Sequence, residues 1–251
     1  MANSPTGDTM AERIVRILDT FTADRTVQTA AQIGRRAGLP SSTVHRIVDE
    51  LVRSGLLERD DEHRVRLGMR LWELALRGSS ALRLRQAALP FMTAVQTRIR
   101  EHTQLAVLEQ DEALFVERLS HPEAGANITR IAGRLPLHAS SSGLVLLAYG
   151  PEDLRRRVLA GPLVAQSPET ITDPGVLARV LEDIRRVGYV VAPGSIESVS
   201  TGIATPIRDA RGAVIAALSV VLPRDAPTAG ALDELRRASA GISAALTADL
   251  R

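Results

Sequence analysis

The sequence predicts an α+β protein in two parts: a small, mainly helical N-terminal unit and a larger C-terminal unit built on antiparallel strands. Two observations carry the division. Up to about residue 100, apolar residues recur at the three-and-four spacing of helices, broken by glycine and short polar stretches. Beyond that, short apolar runs come in pairs around tight turns, as at Glu109-Gln110-Asp111-Glu112 and Asp209-Ala210-Arg211-Gly212. A third observation fixes the class. The helical stretches between the paired runs give no regular strand–helix–strand alternation, so an antiparallel sheet with helices to one side and at the ends is expected, not a doubly wound parallel one.

A chain of 251 residues with 45% apolar side chains holds one large domain or two modest ones. It contains no cysteine, which excludes disulfides, thiolate metal sites and a cysteine nucleophile. All 31 basic residues are arginine, yet the formal charge is only +2. Arginine suits bidentate contacts to phosphate and guanine. The total absence of lysine, however, reads more simply as base composition of the genome, so charge alone marks no nucleic-acid binder. No apolar run approaches the roughly 18 residues that span a bilayer, and residues 1–8 lack a basic region followed by an apolar one. A cytoplasmic protein with no membrane partner is expected.

Taken in order, residues 1–8 are a polar, disordered lead, and a first domain spans 9–75. Ile14, Ile17, Leu18 and Phe21 give the stripe of a first helix. Thr29 can cap a short second helix that ends at Gly38, with Ile33 and Ala37 inward and Gly34 small enough for a close helix crossing. Gly38-Leu39-Pro40 then turns into a third helix, with Pro40 suited to its first position and Gly55 to its end. Val44, Ile47, Val48, Leu51 and Val52 form the buried stripe of that helix. A short helix, a glycine turn and a second helix make helix-turn-helix geometry, against which a plain helical hairpin is the simpler alternative.

The third helix leaves Ser41, Ser42, His45, Arg46, Asp49 and Arg53 outward, and its first turn is rich in hydroxyls. Ser41, Ser42, Thr43, His45 and Arg46, with Arg35 on the preceding helix, are therefore the candidates for reading base edges and holding phosphate. After Leu56-Leu57, Val65 and Leu67 alternate with Arg64 and Arg66 beyond a charged turn. This is a hairpin or wing that sets both arginines beside the same duplex, although Asp60, Asp61 and Glu62 at its tip oppose them. From Met69 to about His102 the pattern is helical again, interrupted at Gly78-Ser79-Ser80 and at Pro90, with a connecting helix expected at 76–88. No acid falls between Glu73 and Glu101, whereas Arg77, Arg83, Arg85, Arg98 and Arg100 all do, as a solvated helix face or a further hold on DNA.

The second domain spans 89–251. Leu105–Leu108 and Leu114–Leu119 make a hairpin, and Asn127-Ile128-Thr129-Arg130-Ile131 reads as a third strand. Ser140-Ser141-Ser142-Gly143 leads into an apolar helix, Pro151 opens another, and Asp173-Pro174 caps and starts one that runs to Gly188. Strands follow around Val190, Ile203–Ile207 and Ala213–Val221, and a last helix carries Leu232, Leu235, Ile242 and Leu246.

The order of five motifs resembles the IclR family of bacterial transcriptional regulators. They are Gly38-Leu39-Pro40-Ser41-Ser42-Thr43-Val44-His45-Arg46, Leu135-Pro136-Leu137-His138-Ala139-Ser140, Ile171-Thr172-Asp173, Gly188-Tyr189 and Ala216-Ala217-Leu218-Ser219-Val220. The resemblance implies a winged helix-turn-helix joined to a GAF-like effector domain, acting as a homodimer or homotetramer on double-stranded operator DNA. It also implies an effector pocket at Pro136, His138, Ser140, Ser141, Ser142 and Gly143. Ser219 and Val221 on the last strand, and Gly202 and Ala204 on its neighbour, complete the implied lining. Ala192 stands where such regulators carry a ligand-contacting acid, and Thr201-Gly202 where they carry an Arg-Cys pair. These departures imply a small organic effector less polar or larger than a small oxo-acid, an acid or an aromatic-acid-like metabolite.

Two other classes compete. His138 beside Ser140 to Ser142 admits a hydrolase, but there is no Gly-x-Ser-x-Gly elbow and a serine cluster at a helix start serves capping. No pair of the five histidines has metal-ligand spacing, and nothing calls for a cofactor. A small-molecule sensor without specific DNA binding is the other. The expected function is a ligand-responsive DNA-binding regulator and not an enzyme, with repressor or activator undetermined.

Overall fold

The computed structural model describes residues 8–125 and 127–248. The polar lead expected over 1–8 falls, apart from Asp8, outside them. The chain divides into two compact units, Met1–Ser79 and Ser80–Arg251.

The first unit contains α1 (Met10–Leu18), β1 (Val27–Gln28), α2 (Ala30–Ala37), α3 (Ser41–Arg53), β2 (Leu57–Arg59), β3 (Val65–Leu67) and α4 (Met69–Gly78). Two helices start on reciprocal caps, Thr9 with Glu12 and Thr29 with Gln32, in which each hydroxyl and each acid or amide satisfies a free backbone N–H. Replacing Thr29 with alanine is expected to cost about 1 kcal/mol of unit stability, with Thr29→Ser near neutral, as read by thermal unfolding of the full chain. Gly38 ends α2 at φ 61°, the left-handed turn that favours glycine. A Cβ on Gly34 would already lie 3.3 Å from Val44 Cγ2, so α2 and α3 cross closely there.

Pro40 is the cap residue preceding α3, with ψ 142°, and not its first helical residue as expected. An extended ψ turns the chain between the two helices. Val44, Ile47, Val48 and Leu51 pack with Ile17, Ile33, Leu57 and Val65 in one core, while Val52 is only partly buried at its margin. The wing is a three-stranded sheet in the order β1-β3-β2. The third strand is missing from the sequence reading because Val27–Gln28 is too short to show alternation; it is held by the register Gln28↔Val65 and by Gln28 Nε2 donating to the Thr20 carbonyl at 3.0 Å.

The second unit contains α5 (Ser80–Ile99), β4 (His102–Glu109), β5 (Glu112–Leu119), β6 (Arg134–Pro136), α6 (Ser141–Tyr149), α7 (Glu152–Ala160), α8 (Pro174–Val187), β7 (Val190–Pro193), β8 (Ser200–Arg208), β9 (Val214–Pro223) and α9 (Ala229–Ala248). The sheet is antiparallel throughout, in the order β6-β5-β4-β9-β8-β7. Asp173 caps α8 with Pro174 in its first turn, and Gly188 ends it at φ 82°.

Three expectations are corrected. The connection is not one helix over 76–88, because α4 stops at Gly78, Ser79 turns to ψ 115°, and α5 begins at Ser80 and continues through Pro90. Residues 127–131 form no strand. Asn127 Oδ1 accepts from Thr129 N at 2.8 Å and Arg118 donates to the Thr129 carbonyl, so side chains satisfy backbone groups that a ladder would have used. Finally, helices cover both faces of the sheet and not one. Ala106, Ala204 and Ala217 face the core shared with α6 and α8, whereas Leu105, Ile203 and Leu218 alternate onto the core shared with α5 and α9. The alanine face lets α6 lie close to the strands, and a pocket opens at its N-terminal end.

Candidate functional site

Two sites emerge, one in each unit. In the first, Ser41 and Ser42 are exposed in the opening turn of α3, Thr43 is partly covered, and His45 and Arg46 are exposed. Arg35 is exposed on α2, and no hydrogen bond or ion pair is found for its side chain among the described residues. Arg46 is tied to Glu50 one turn along, Nη1 to Oε1 3.0 Å. On the wing, Arg64 meets Asp60 at 2.9 Å and Glu62 at 3.1 Å, and Arg66 meets Glu58 at 3.0 Å.

These pairs are solvent-exposed and contribute little to stability, so a phosphate or a base edge can replace the acid cheaply. The acids have their own work. Asp60 Oδ1 accepts from Glu62 N at 3.1 Å and Arg64 N at 2.8 Å, closing the turn in which His63 adopts φ 58°. Glu58 accepts from the Met69 N–H, the first of α4, at 3.0 Å; that bond, then Arg66, holds its carboxyl below the usual range. Four of the five arginines in the stretch without acids are partnered: Arg77 with Glu73, Arg85 with Glu117, Arg98 with Glu234 and Arg100 with Glu123. Arg83 is exposed, and no hydrogen bond or ion pair is found for its side chain among the described residues; the segment is a solvated face whose charge is largely paired.

In the second unit a cleft of about 400 Å³, including its mouth, opens beside the N-terminus of α6. Its floor is Gln104 on β4, Val221 on β9, Gly202 on β8 and Ala192 on β7. Ser141 overhangs it, resting on Gly202 so closely that a Cβ there would meet Ser141 Oγ at 2.7 Å. One wall is the connection between β5 and β6, with Asn127, Ile128 and Thr129. The opposite wall is the connection between β7 and β8, with Ser195, Ile196, Glu197 and Ser200.

Two side-chain amides lining this cleft have a buried N–H group without a partner among the described residues. Gln104 is 3% exposed; its Oε1 accepts from Ser219 Oγ at 3.4 Å, and Ser219 in turn accepts from Ser142 Oγ at 2.8 Å. That relay orients the amide and leaves Nε2 buried without an acceptor. Asn127 is oriented in the same way by Thr129 N, and its Nδ2 is likewise buried without an acceptor. An unsatisfied buried donor costs roughly 1–3 kcal/mol, so both call for an acceptor oxygen from a ligand or water. The wall carrying Asn127 is fixed from behind. His102 Nε2 donates to the Gly125 carbonyl at 2.7 Å, which leaves Nδ1 to accept from Ser120 Oγ at 2.9 Å.

Of the residues expected around an effector, Ser141, Ala192, Gly202 and Val221 come together at this cleft. The others lie elsewhere. Ser140 caps α6 by accepting from Gly143 N at 3.0 Å, and Gly143 is pressed on the Leu137 backbone. Ser142 and Ser219 sit in the relay beneath Gln104, and Ala204 is core. Pro136 and His138 border a separate shallow cleft with Arg157 and Val164, where His138 Nε2 donates to the Val164 carbonyl at 3.0 Å. Sequence reasoning missed Gln104, Asn127 and Glu197. The signal for Gln104 was present, a lone amide in the apolar run around Leu105-Ala106-Val107; the other two lie on loops without periodicity.

Among the described residues, no group of three or more His, Asp or Glu is placed to hold a metal ion, and no helix is long and apolar enough to cross a membrane.

Comparison with known proteins gives two family matches: the IclR helix-turn-helix domain over residues 10–61 and the bacterial transcriptional regulator IclR C-terminal domain over residues 78–244. The transcriptional regulator XynR of Escherichia coli is 30% identical over 94% of this chain and 96% of its own. An IclR homolog from Microbacterium hydrocarbonoxydans, crystallised with 4-hydroxybenzoate, is 60% identical with TM-score 0.91, covering 95% of this chain and 99% of that one. A homolog from Microbacterium sp. strain HM58-2 is 58% identical with TM-score 0.64, covering 95% and 98%.

Proposed function

Because the chain belongs to the IclR family of bacterial transcriptional regulators, we propose that it reads operator DNA through α3 and the wing and that an aromatic acid in the α6 cleft sets its affinity for DNA. The observation that carries the effector reading is the likeness, 60% identical over 95% of this chain, to a homolog crystallised with 4-hydroxybenzoate. The chemistry of the cleft agrees. Two amide donors without acceptors among the described residues line the cleft together with Ser141 at the start of α6, and a helix N-terminus favours an anion.

Regulation, not catalysis, fits the serine cluster. Ser140 is occupied as a helix cap and His138 Nε2 is committed to a carbonyl, so neither is poised as nucleophile or base. We further read the working form as a homodimer or homotetramer in the cytoplasm. Leu67, Met69, Trp72, Leu74 and Leu76 are all exposed around α4, an apolar surface that a second copy would cover, and paired half-sites compensate for the few bases that one helix reads.

Calorimetry with the full-length protein is the test. 4-Hydroxybenzoate is expected to bind and pyruvate or glyoxylate not to; tighter binding of either oxo-acid would sink the effector reading. Footprinting with and without the bound acid then gives the sign of regulation, since a ligand shifts DNA affinity only by its differential affinity for the two conformations.

A further inference from the structure

The cleft has two chemically opposite walls. Along the sheet order, Gln104 sits on β4, and the connection carrying Asn127 lies on the β5–β6 side of it; both present N–H donors without acceptors. The connection carrying Glu197 joins β7 to β8, which lie three and two strands from β4, or about 10–14 Å at roughly 4.8 Å per strand. Among the described residues lining the cleft, Glu197 alone is ionisable; it is half-buried, and no hydrogen bond or ion pair to its carboxylate is found among them. An ionised carboxylate only accepts. A ligand that spans the cleft must therefore offer an acceptor at one end and a donor at the other.

Resting on the reading that an aromatic acid occupies this cleft, we propose that Glu197 is the specificity residue: it accepts a hydrogen bond from a ring hydroxyl opposite the effector's carboxylate, whose oxygens take the Gln104 and Asn127 amides. The described residues lining the cleft include no cation to neutralise a second acid. An unsubstituted or diacid ring leaves Glu197 unpaired or opposed by like charge, and a para-hydroxy acid satisfies both walls. Hydrogen bonds to charged groups contribute enough to discriminate by about tenfold or more.

The test is calorimetry on the full-length protein with 4-hydroxybenzoate, benzoate and 4-methoxybenzoate, the last keeping the para oxygen but not its proton. The unmodified protein is expected to prefer 4-hydroxybenzoate at least about tenfold over both others. Glu197→Ala should bring the three within about threefold, with benzoate binding equal or tighter because no carboxylate is left unpaired, and an unchanged thermal unfolding temperature as the sign of an intact fold; Gln104→Leu should weaken all three together. A Glu197→Ala protein that keeps the tenfold preference overturns the assignment of Glu197 alone. Failure of all three acids to bind the unmodified protein overturns the aromatic-acid reading, and this proposal with it.

Discussion

Arg46→Ala is expected to abolish discrimination between operator and scrambled DNA while leaving the thermal unfolding temperature and the affinity for 4-hydroxybenzoate unchanged. Arg46 is exposed on the outer face of α3, tied only to Glu50 by a surface pair that contributes little to stability. A bidentate arginine contact to a base is worth about 1–3 kcal/mol, and in a two-fold assembly the loss counts once per half-site. Arg64→Ala should behave differently. A phosphate contact carries no sequence information, so its loss weakens operator and scrambled DNA together and lowers the salt slope by about one. Gel shifts at several stated salt concentrations separate the two. An Arg46→Ala protein that retained operator preference would move the reading face away from this helix turn.

Glu50→Ala sharpens the test. If the Arg46–Glu50 pair holds the guanidinium in reserve, removing the acid leaves operator affinity equal or higher.

What the sequence disclosed and what it concealed follow one physical division. Local chemistry was legible: Thr29 ahead of Gln32, Asp173-Pro174 and Gly188 each mark a helix end by interactions within a few residues, and the structure has the helices there. Pairings distant in sequence were not. The absence of acids between Glu73 and Glu101 suggested a basic surface, yet Arg98 is met by Glu234 and Arg85 by Glu117, brought in by folding. The cleft shows the same limit. Ser141 and Gly202 were identified through motifs, whereas Asn127 had been read as part of a strand, although its own side chain closes the turn that places it on the wall. Alternation in the sheet shows two apolar faces but not which neighbour is small, so the alanine face that admits α6 became visible only with the strands in register.

Gly143→Ala tests how far that cleft depends on the helix start. A Cβ at Gly143 would stand 2.7 Å from both Cα and O of Leu137, and 2.7 Å from the capping Ser140 Oγ. Two of these contacts are backbone in a buried turn, so no side-chain rotation relieves them, and α6 must move off the Leu137 turn and its cap. Overpacking of this kind costs about 1–3 kcal/mol, with about 1 kcal/mol more for the lost cap. The unfolding temperature of the second unit should fall. Binding of 4-hydroxybenzoate should weaken at least about tenfold, because Ser141 and the start of α6 are displaced from the cleft that Gln104 also lines. Gly230→Ala is the matched control: a Cβ there meets nothing within 4 Å, and in the first turn of α9 alanine is the better helix former. If both variants unfolded at the temperature of the unmodified protein, the tight seat of α6 on the Leu137 turn would not be what shapes the cleft. If Gly143→Ala alone is lowered and loses its ligand, the helix start both supports the fold and builds the anion-facing end of the site.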